Sequence, residues 1–520
     1  MAMPVVVKAM AQRTWTVVLL LGLFAGNVPA QDQKPKPPST LAELRQRITD
    51  HISQPKFAGG LWGVKIVSAD SGKTLFEHNP HKLFSPASNC KLYTVALALD
   101  RLGADYRLKT SLYAKAKPDE KGTLNGDLIV YGRGDPTINA RLRGDIYKAL
   151  EPLVSALTNA GVKRISGDVI GDDSFIRGPE FGSGWAWDDF EFYYGAEVSA
   201  LTINDNTLQA TVKPGRNSGD RCSISLSPAT AWLSISNRAE TVAKGERRTI
   251  HLYRPVKQNV VYVTGRMPLD DAGYTTEVTF NNPAGLFVSF FKKALERRGI
   301  KVGGKLRTMN WLDRQVEPLD CAALVELGSM ESLPMKDIAR EVQKPSQNLY
   351  TDLLLAHVGE KTRTAETPSG ETSEDLGVAE LKKFLGSAGI RKGETFFEEG
   401  SGLSRDNMTT PDATVTLLRY MSRHACAQPY LEALPVAGVD GTLKSRMKGT
   451  PAAGNVRAKT GTLQWANTIS GHVTTAAGEH LLFSLMLNRY YELQPSKGDL
   501  DAIVVMLAGF TGRSTEAGAE

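Results

Sequence analysis

Residues 83–103 read LFSPASNCKLYTVALALDRLG, a segment that contains the apolar run VALAL at residues 95–99. This pattern predicts a buried helix that begins at Ser88 and ends near Gly103. Ser88 and Lys91 have the spacing S-x-x-K, which places both side chains on one face of a helix. A serine hydroxyl is a weak nucleophile at neutral pH, but a lysine with a lowered pKa can take its proton. The start of a helix also favours developing negative charge.

The S-x-x-K spacing alone is weak evidence, because average composition gives about two chance matches in a chain of this length. Two further matches occur, at residues 53–56 (SQPK) and 445–448 (SRMK). The first contains a proline, which suits a turn better than a helix. The second is followed by Gly-Thr-Pro, which is typical of a loop.

The chain has 520 residues and a mass of 56.5 kDa, which predicts about three domains. Hydrophobic residues make up 41% and charged residues 23%, which excludes a collagen-like, largely disordered or coiled-coil chain. The formal net charge of +6 is small for this length and indicates no nucleic-acid partner. The 48 glycines and 26 prolines indicate many turns and a β-rich or mixed fold.

Residues 1–30 have the features of a secretory signal peptide. Two positive charges precede a short apolar run, WTVVLLLGLF, and a small-residue site, VPA, ends at Ala30. We therefore expect cleavage after Ala30, a disordered leader over residues 31–38, and a periplasmic or otherwise exported protein. The alternative is an N-terminal membrane anchor. Because no later run reaches about 18 apolar residues, we expect no integral membrane segment after cleavage.

The cysteines fit no metal-binding pattern, and export makes disulfides possible while buried free thiols are the default. They are Cys90, Cys222, Cys321 and Cys426, and their pairing stays open. We expect neither a metal nor a cofactor.

Both ends of the chain have sequence patterns that predict a mixture of helices and strands, whereas the middle has mainly short strand patterns. Amphipathic spacing at residues 41–52 predicts a helix, and residues 61–67 and 74–76 predict a hairpin. Residues 105–320 carry short β-type runs and an aromatic cluster around Trp185 and Trp187, which we interpret as core or a domain hinge. Helical and strand patterns return after residue 330. The pattern predicts one α/β domain built from both ends, with the middle inserted.

Two more motifs follow the first serine in a fixed order. Ser346-Gln347-Asn348 is the S-x-N of the chain, and Lys459-Thr460-Gly461 is its K-T-G, followed by Thr462. Alone, the first could be a helix cap and the second a strand that enters a turn. The order S-x-x-K, S-x-N, K-T-G on an exported chain is typical of serine enzymes that react with penicillin.

Over most of residues 40–510, the chain resembles the large D-alanyl-D-alanine carboxypeptidase/endopeptidase family, the low-molecular-mass class C penicillin-binding proteins. In that family a long insertion separates the first two motifs, and here Ser88 and Ser346 are 258 positions apart. Other stretches are similar to the family as well: 132–137 (GRGDPT), 184–187 (GWAW), 193–206 (YYGAEVSALTINDN) and 400–405 (GSGLSR). Glu399 departs from the family, which more often has Asp there, and Cys90 places a thiol beside the nucleophile.

The resemblance implies an α/β penicillin-binding domain with a five-stranded antiparallel sheet and helices on both sides. Two smaller β-rich domains would interrupt it. The expected boundaries are 39–104 and 325–512 for the penicillin-binding domain, 105–165 and 265–324 for inserted domain II, 166–264 for nested domain III, and 513–520 for a tail.

The resemblance also implies the roles of the motif residues in acyl transfer. Ser88 would attack the carbonyl between two D-Ala residues, Lys91 would be the general base, and Ser346 would pass a proton to the leaving amine. Asn348 would hold a substrate amide and orient Lys91. Lys459, Thr460 and Thr462 of the K-T-G segment, with Gly461 between them, would bind the terminal carboxylate. The backbone N–H groups of Ser88 and Thr462 would form the oxyanion hole.

Three further residues match positions that contact substrate in the family. Asp172 would present an acid to the amino group of the peptide's diamino acid, and Arg405 and Gln464 would line the pocket. The alternatives are a turn-capping aspartate, a surface arginine and a glutamine at a strand edge.

The resemblance predicts a serine D-Ala-D-Ala carboxypeptidase, with possible DD-endopeptidase action, whose partners are peptidoglycan stem peptides and β-lactam antibiotics. One alternative is a β-lactamase, whose class A members need a glutamate after S-x-N. The E-x-x-x-N of this chain, residues 277–281, precedes S-x-N instead. Another is a non-catalytic wall scaffold, although such relatives usually lose one motif. A third is an exported binding protein that uses the aromatic cluster. Protein partners stay open.

Overall fold

The computed structural model describes residues 36–490 and 497–515. The predicted signal peptide and its cleavage site, most of the predicted leader, and residues 516–520 of the predicted tail lie outside the described residues. The chain from Pro38 onward forms one unit, which is described below. Among the described residues, no helix combines the length and the apolar character needed to cross a membrane.

Helices are concentrated near the two ends of the described chain. In the described residues the α-helices are α1 (Leu41–Ile52), α2 (Cys90–Leu102), α3 (Ala140–Arg143), α4 (Ile146–Asn159), α5 (Pro283–Arg297), α6 (Asp313–Val316), α7 (Met335–Gln343), α8 (Asn348–Thr362), α9 (Ser373–Ser387), α10 (Pro411–Met421), α11 (Ala427–Ala433) and α12 (Lys497–Gly509). The predicted helix after Ser88 is confirmed. A one-turn 3₁₀ helix, Ala87–Asn89, leads into α2, which ends before Gly103 at φ +87°.

The strands fall into one terminal group and a larger middle group. In the described residues they are β1 (Leu61–Ser68), β2 (Thr74–His78), β3 (Lys109–Ala114), β4 (Thr123–Leu124), β5 (Leu128–Tyr131), β6 (Arg164–Ile165), β7 (Val169–Asp172), β8 (Thr207–Lys213), β9 (Ser223–Ser227), β10 (Ser234–Asn237), β11 (Glu240–Val242), β12 (His251–Tyr253), β13 (Val260–Thr264), β14 (Arg266–Pro268), β15 (Tyr274–Thr279), β16 (Lys301–Val302), β17 (Leu306–Met309), β18 (Val325–Glu331), β19 (Thr395–Phe396), β20 (Met408–Thr409), β21 (Arg457–Leu463), β22 (Ala466–Thr474) and β23 (His480–Asn488).

Both ends of the chain build one antiparallel sheet, in the order β2-β1-β23-β22-β21. Its two faces are covered by different helices. The buried side chains of α1 and α12, such as Leu44 and Ile503, share one core with Val64. Those of α2 and α10, such as Leu92 and Leu417, belong to a second core. β21 lies at the edge of the sheet, which leaves one side of this strand available to the segment that carries Ser88.

Strand pairing in the middle of the chain crosses the domain boundaries expected from the resemblance. β7 lies in the mixed sheet β17-β7-β5-β3-β18, although residues 166–264 were expected to form a separate domain. β15 pairs with β8, and β18 pairs with β3. From this pairing we infer that the nested region begins after β7 and ends after β15. We likewise infer that the chain returns to the terminal sheet after β18. Backbone pairing between distant segments leaves no trace in local composition.

The aromatic cluster is not core, so the first half of that interpretation was wrong, and the domain hinge stays a prediction. Trp187 is 74% exposed, and Phe192 and Tyr193 are each nearly half exposed. Trp185 is only partly buried. These rings lie in the segment between β7 and β8.

Candidate active site

The first motif stands where the 3₁₀ turn meets α2. Ser88 lies in the turn and is partly exposed, whereas Lys91 lies in the first turn of α2 and is fully buried. The Lys91 Nζ is 3.1 Å from the Ser88 Oγ. The spacing of three residues therefore brings the amine and the hydroxyl into hydrogen-bond contact, as the sequence predicts.

Lys91 is held by two more oxygens. Its Nζ donates to the Asn348 Oδ1 at 2.6 Å and to the Ser401 carbonyl at 2.6 Å. Burial lowers the pKa of Lys91 to about 8, although the nearby Asp352 and Glu399 carboxyl groups oppose this shift. An amine with this pKa is partly neutral near physiological pH and can accept a proton.

The second motif connects α7 to α8. Ser346 adopts a left-handed conformation at φ +67°, and Asn348 is the first residue of α8. The Asn348 side chain accepts from Lys91 and donates through Nδ2 to the Tyr194 carbonyl at 2.9 Å. Asn348 therefore links Lys91 to the aromatic segment.

The third motif lies on the edge strand β21. The buried Lys459 donates through Nζ to the Ser346 Oγ at 2.8 Å and to the Thr460 carbonyl at 2.9 Å. Burial lowers the pKa of Lys459, and the positive charge of Lys91 lowers it further. The three motifs thus form two lysine–serine contacts side by side.

Gly461 allows β21 to approach the Ser88 segment closely. A Cβ at this position would lie 2.6 Å from the Pro86 carbonyl oxygen and 2.2 Å from the Thr468 Oγ1. Gly402 allows its own loop to approach the same segment, since a Cβ there would lie 2.0 Å from the Ala87 carbonyl oxygen. Both glycines are needed because a backbone carbonyl oxygen lies within 2.6 Å of the place that each Cβ would take.

A cavity of about 550 Å³ opens in front of these residues. Of the residues predicted from sequence, its lining includes Ser88, Ser346, Asn348, Thr460, Thr462, Arg405 and Gln464. Lys91 and Lys459 lie behind the lining and reach it through their serine contacts. The Arg405 Nη1 donates to the Gln464 carbonyl at 3.0 Å.

Asp172 does not line this cavity, which corrects the role expected for it. Its carboxylate is fully buried, accepts a hydrogen bond from the Arg314 Nε at 2.7 Å and forms an ion pair with the Arg314 Nη2 at 2.6 Å. It also accepts from the Ser174 N–H at 3.1 Å. A carboxylate with this much pairing at the end of β7 has a structural role and offers no free acid to a substrate.

Sequence reasoning missed two aspartates that do line the cavity, Asp188 and Asp189. They stand between Trp187 and the two tyrosines of the cavity, Tyr193 and Tyr194. Partial burial raises the pKa of Asp189, and the charge of Asp188 adds to that rise. The available signal was their position between residues 184–187 and residues 193–206, two stretches that are similar to the family.

Other predicted alternatives lie elsewhere. Ser53, Ser445 and Glu277 do not line the cavity. The four cysteines are free; Cys321 is partly buried and the others are buried. Burial raises the pKa of the Cys90 thiol well above its usual value, so this neighbour of Ser88 is unreactive.

One group of described residues could in principle bind a metal: His81, Glu394 and Asp412 have ligand atoms within 4.8 Å of one another. Arg391 already pairs with Glu394 at 2.5 Å and Lys65 with Asp412 at 3.4 Å. These cations compensate both carboxylates, and the group does not line the cavity.

The arrangement can perform acyl transfer. A serine hydroxyl contacts a lysine amine of lowered pKa, two carbonyl oxygens hold that amine, and a second serine contacts a second buried lysine. The edge strand supplies backbone groups beside the nucleophile.

Comparison with known proteins agrees with this chemistry. The D-Ala-D-Ala carboxypeptidase 3 (S13) family matches residues 44–509. The chain is 32% identical over 494 residues to a D-alanyl-D-alanine carboxypeptidase of Actinomadura sp. (strain R39), which covers 92% of this chain and 87% of that protein. The crystal structure of penicillin binding protein 4 (dacB) from Haemophilus influenzae is similar with a TM-score of 0.74 at 25% identity, covering 89% of this chain and 97% of that chain. A structure of that protein complexed with a β-lactam has a TM-score of 0.69 at 24% identity, covering 88% and 97%. With nearly the whole described chain matched, the protein belongs to the D-Ala-D-Ala carboxypeptidase 3 (S13) family.

Proposed function

We propose that this protein is a serine D-Ala-D-Ala carboxypeptidase that works through an acyl-enzyme on Ser88. One observation carries the proposal: the buried Lys91 amine contacts the Ser88 hydroxyl while two carbonyl oxygens, of Asn348 and Ser401, hold it in place. Family membership identifies the carboxypeptidase activity, and the comparisons offer no support for a β-lactamase or a non-catalytic scaffold.

In the acylation step, the Ser88 proton passes to neutral Lys91 as the Ser88 Oγ bonds to the carbonyl carbon of the penultimate D-Ala. The backbone N–H groups of Ser88 and Thr462 stabilise the resulting oxyanion, and one such donor contributes about 3 kcal/mol. The amide C–N bond then breaks, and the leaving amine of the last D-Ala takes a proton through Ser346. Water hydrolyses the ester and frees Ser88.

The cavity walls account for substrate recognition. The Lys459, Thr460 and Thr462 groups of β21 attract the terminal carboxylate, and Arg405 adds positive charge at the rim. Asp189 replaces Asp172 as the acid that faces the substrate, so it is the partner we assign to a side-chain ammonium of the stem peptide. Gln464 lies beside Arg405 at the cavity rim and contacts the body of the peptide.

The proposal also covers further substrates of the same site, export and domain organisation. β-Lactams resemble the D-Ala-D-Ala terminus and would acylate Ser88. Cleavage of D,D-crosslinks would use the same residues. We further propose an exported, periplasmic enzyme that remodels the cell wall, with a signal peptide removed after Ala30. Its penicillin-binding domain would be interrupted by two β-rich insertions with the boundaries amended above.

The test is intact-mass spectrometry of the protein after brief incubation with benzylpenicillin. We expect one covalent adduct on the wild type and none on Ser88→Ala. Ser53→Ala, which alters another S-x-x-K serine, is the matched control and should label fully. An adduct on Ser88→Ala would refute the assignment of the nucleophile. Hydrolysis of diacetyl-Lys-D-Ala-D-Ala should be lost in the same variant, by a factor on the order of 10⁶.

A further inference from the structure

The base Lys91 depends on a backbone carbonyl from a distant loop. A neutral lysine amine has two N–H donors and one free electron pair. The Asn348 Oδ1 and the Ser401 carbonyl, each 2.6 Å from Nζ, can take the two donors. The free electron pair then faces the Ser88 Oγ at 3.1 Å. The direction of the base therefore depends on where the Ser401 carbonyl points.

A single buried carboxylate fixes the loop that carries this carbonyl. Glu399 is 0% exposed, and its Oε2 accepts from the Ser401 N–H at 2.7 Å and from the Ser401 Oγ at 2.5 Å. Its Oε1 accepts from the Gly402 N–H at 2.7 Å and from the Asn407 Nδ2. The carboxylate thus binds both N–H groups that flank the Ser401 carbonyl, which determines the orientation of that peptide group.

A second carboxyl group lies beside the first. Asp352 stands one helical turn after Asn348 on α8, so both face the same loop. Its Oδ1 accepts from the Gly400 N–H at 3.1 Å, whereas its buried Oδ2 accepts no hydrogen bond from a donor. Burial raises the pKa of Asp352, and the charge of Glu399 raises it further. Asp352 and Glu399 therefore form one buried pair of carboxyl groups beside the loop that carries Ser401.

We propose that Glu399 is a positioning residue for the acylation reaction: by fixing the Ser401 carbonyl it directs the electron pair of Lys91 at Ser88, and it places one negative charge beside that amine. This inference rests on the proposed role of Lys91 as the base. Nothing in the geometry brings Glu399 itself into the cavity, so it acts through the loop and through its charge.

The charge of Glu399 acts together with the other titratable groups around Lys91. These are Cys90 on the same helix, Asp352 on α8 and Lys459 on β21. The charge of Glu374 on α9 also raises the pKa of Asp352. Removing the charge of Glu399 should lower the pKa of Lys91, because a nearby carboxylate stabilises the ammonium form.

The test compares the acylation rate of purified full-length variants with benzylpenicillin between pH 6 and pH 9.5. Glu399→Gln removes the charge with little change in shape. We expect acylation at the pH optimum to fall about ten- to a hundredfold, the usual effect of misdirecting a catalytic group. We also expect the rise of the rate with pH to move down by about half a unit. With a Lys91 pKa of about 8, the ratio of the rates at pH 9 and pH 7 would then fall from about 10 to about 4.

Glu399→Asp distinguishes the effect of the charge from the effect of the hydrogen bonds. It keeps the carboxylate but shortens the side chain by one methylene group. We expect acylation about three- to tenfold slower with the pH dependence unmoved. Glu394→Gln is the matched control. Glu394 is buried like Glu399, but it accepts from Arg391 and makes no contact with the Ser401 loop, so rate and pH dependence should both stay at wild-type values.

A wild-type rate in Glu399→Gln, or a reduced rate whose pH dependence does not move, would overturn the inference. If Glu399→Gln does not fold by circular dichroism, Glu399→Asp decides: a wild-type rate or a shifted pH dependence would overturn it. These failures differ from failure of the proposed function, in which Ser88→Ala would still be acylated.

Discussion

The buried position of Lys91 predicts how acylation should depend on pH. The reaction needs the neutral amine, and burial lowers the pKa of Lys91 to about 8. At pH 7 about 9% of the amine is then neutral, and at pH 9 about 91%. We therefore expect the acylation rate to rise about tenfold between these two values and to level off above pH 9.

The size of this rise separates the buried lysine from an ordinary one. A lysine with the usual pKa of about 10.4 would be neutral in only about 0.04% of molecules at pH 7. The rate would then rise about a hundredfold by pH 9 without levelling off. Asp352 and Glu399 raise the pKa of Lys91 while burial lowers it, so the measured midpoint reports the balance of the two effects.

The assay is the second-order rate of benzylpenicillin acylation, followed by stopped reactions and intact-mass spectrometry at each pH. Circular dichroism at each pH is the control for unfolding. A rate that rises a hundredfold without levelling off would show that Lys91 is not neutralised by burial. A rate that falls from pH 6 to pH 8 would exclude a lysine base altogether.

Three further predictions concern the cavity and its support. Asp189→Asn should lower kcat/KM about fivefold for peptides with a free side-chain ammonium, as expected for a partly exposed charge pair. It should leave kcat/KM for an acyl-D-Ala-D-Ala without an ammonium group unchanged. Equal losses on both substrates would show that Asp189 does not recognise the ammonium group. Arg314→Ala should leave the buried Asp172 carboxylate unpaired and lower the free energy of unfolding by about 3 kcal/mol in urea, and an unchanged midpoint would contradict the structural role of the pair. Gly402→Ala should destabilise the fold by about 2 kcal/mol or more and slow acylation, because the new Cβ meets the Ala87 carbonyl beside the nucleophile at φ +87°; a fully stable variant would show that the loop can move aside.

The motif residues could be predicted from sequence because their chemistry depends on local spacing. Ser88 and Lys91 are three residues apart on one helical turn, and Ser346 and Asn348 flank the start of α8. The hairpin β1–β2 and helices α1 and α2 follow from amphipathic patterns and turn residues, and the structure confirms them. In each case the signal lies within a dozen residues.

The errors share a physical cause, which is pairing between distant segments. Asp172 matched a local pattern, but the partner that occupies its carboxylate, Arg314, is 142 residues away. β18 was expected to open the terminal domain, yet it pairs with β3. The aromatic residues around Trp187 have the composition of a core. Their exposure depends on the tertiary structure and could not be predicted from the local sequence.

The proposed base, Lys91, depends even more on residues that are distant in sequence. Its contact with Ser88 spans three residues, but the acceptors that orient it lie 257 and 310 residues further along the chain, at Asn348 and Ser401. A lysine amine in a buried position would otherwise turn freely toward any acceptor or stay protonated. Because two fixed carbonyl oxygens take its N–H groups, only the remaining electron pair is left for the nucleophile. The S-x-x-K spacing therefore brings the two reacting groups into contact, and the rest of the fold determines whether the amine can act as a base.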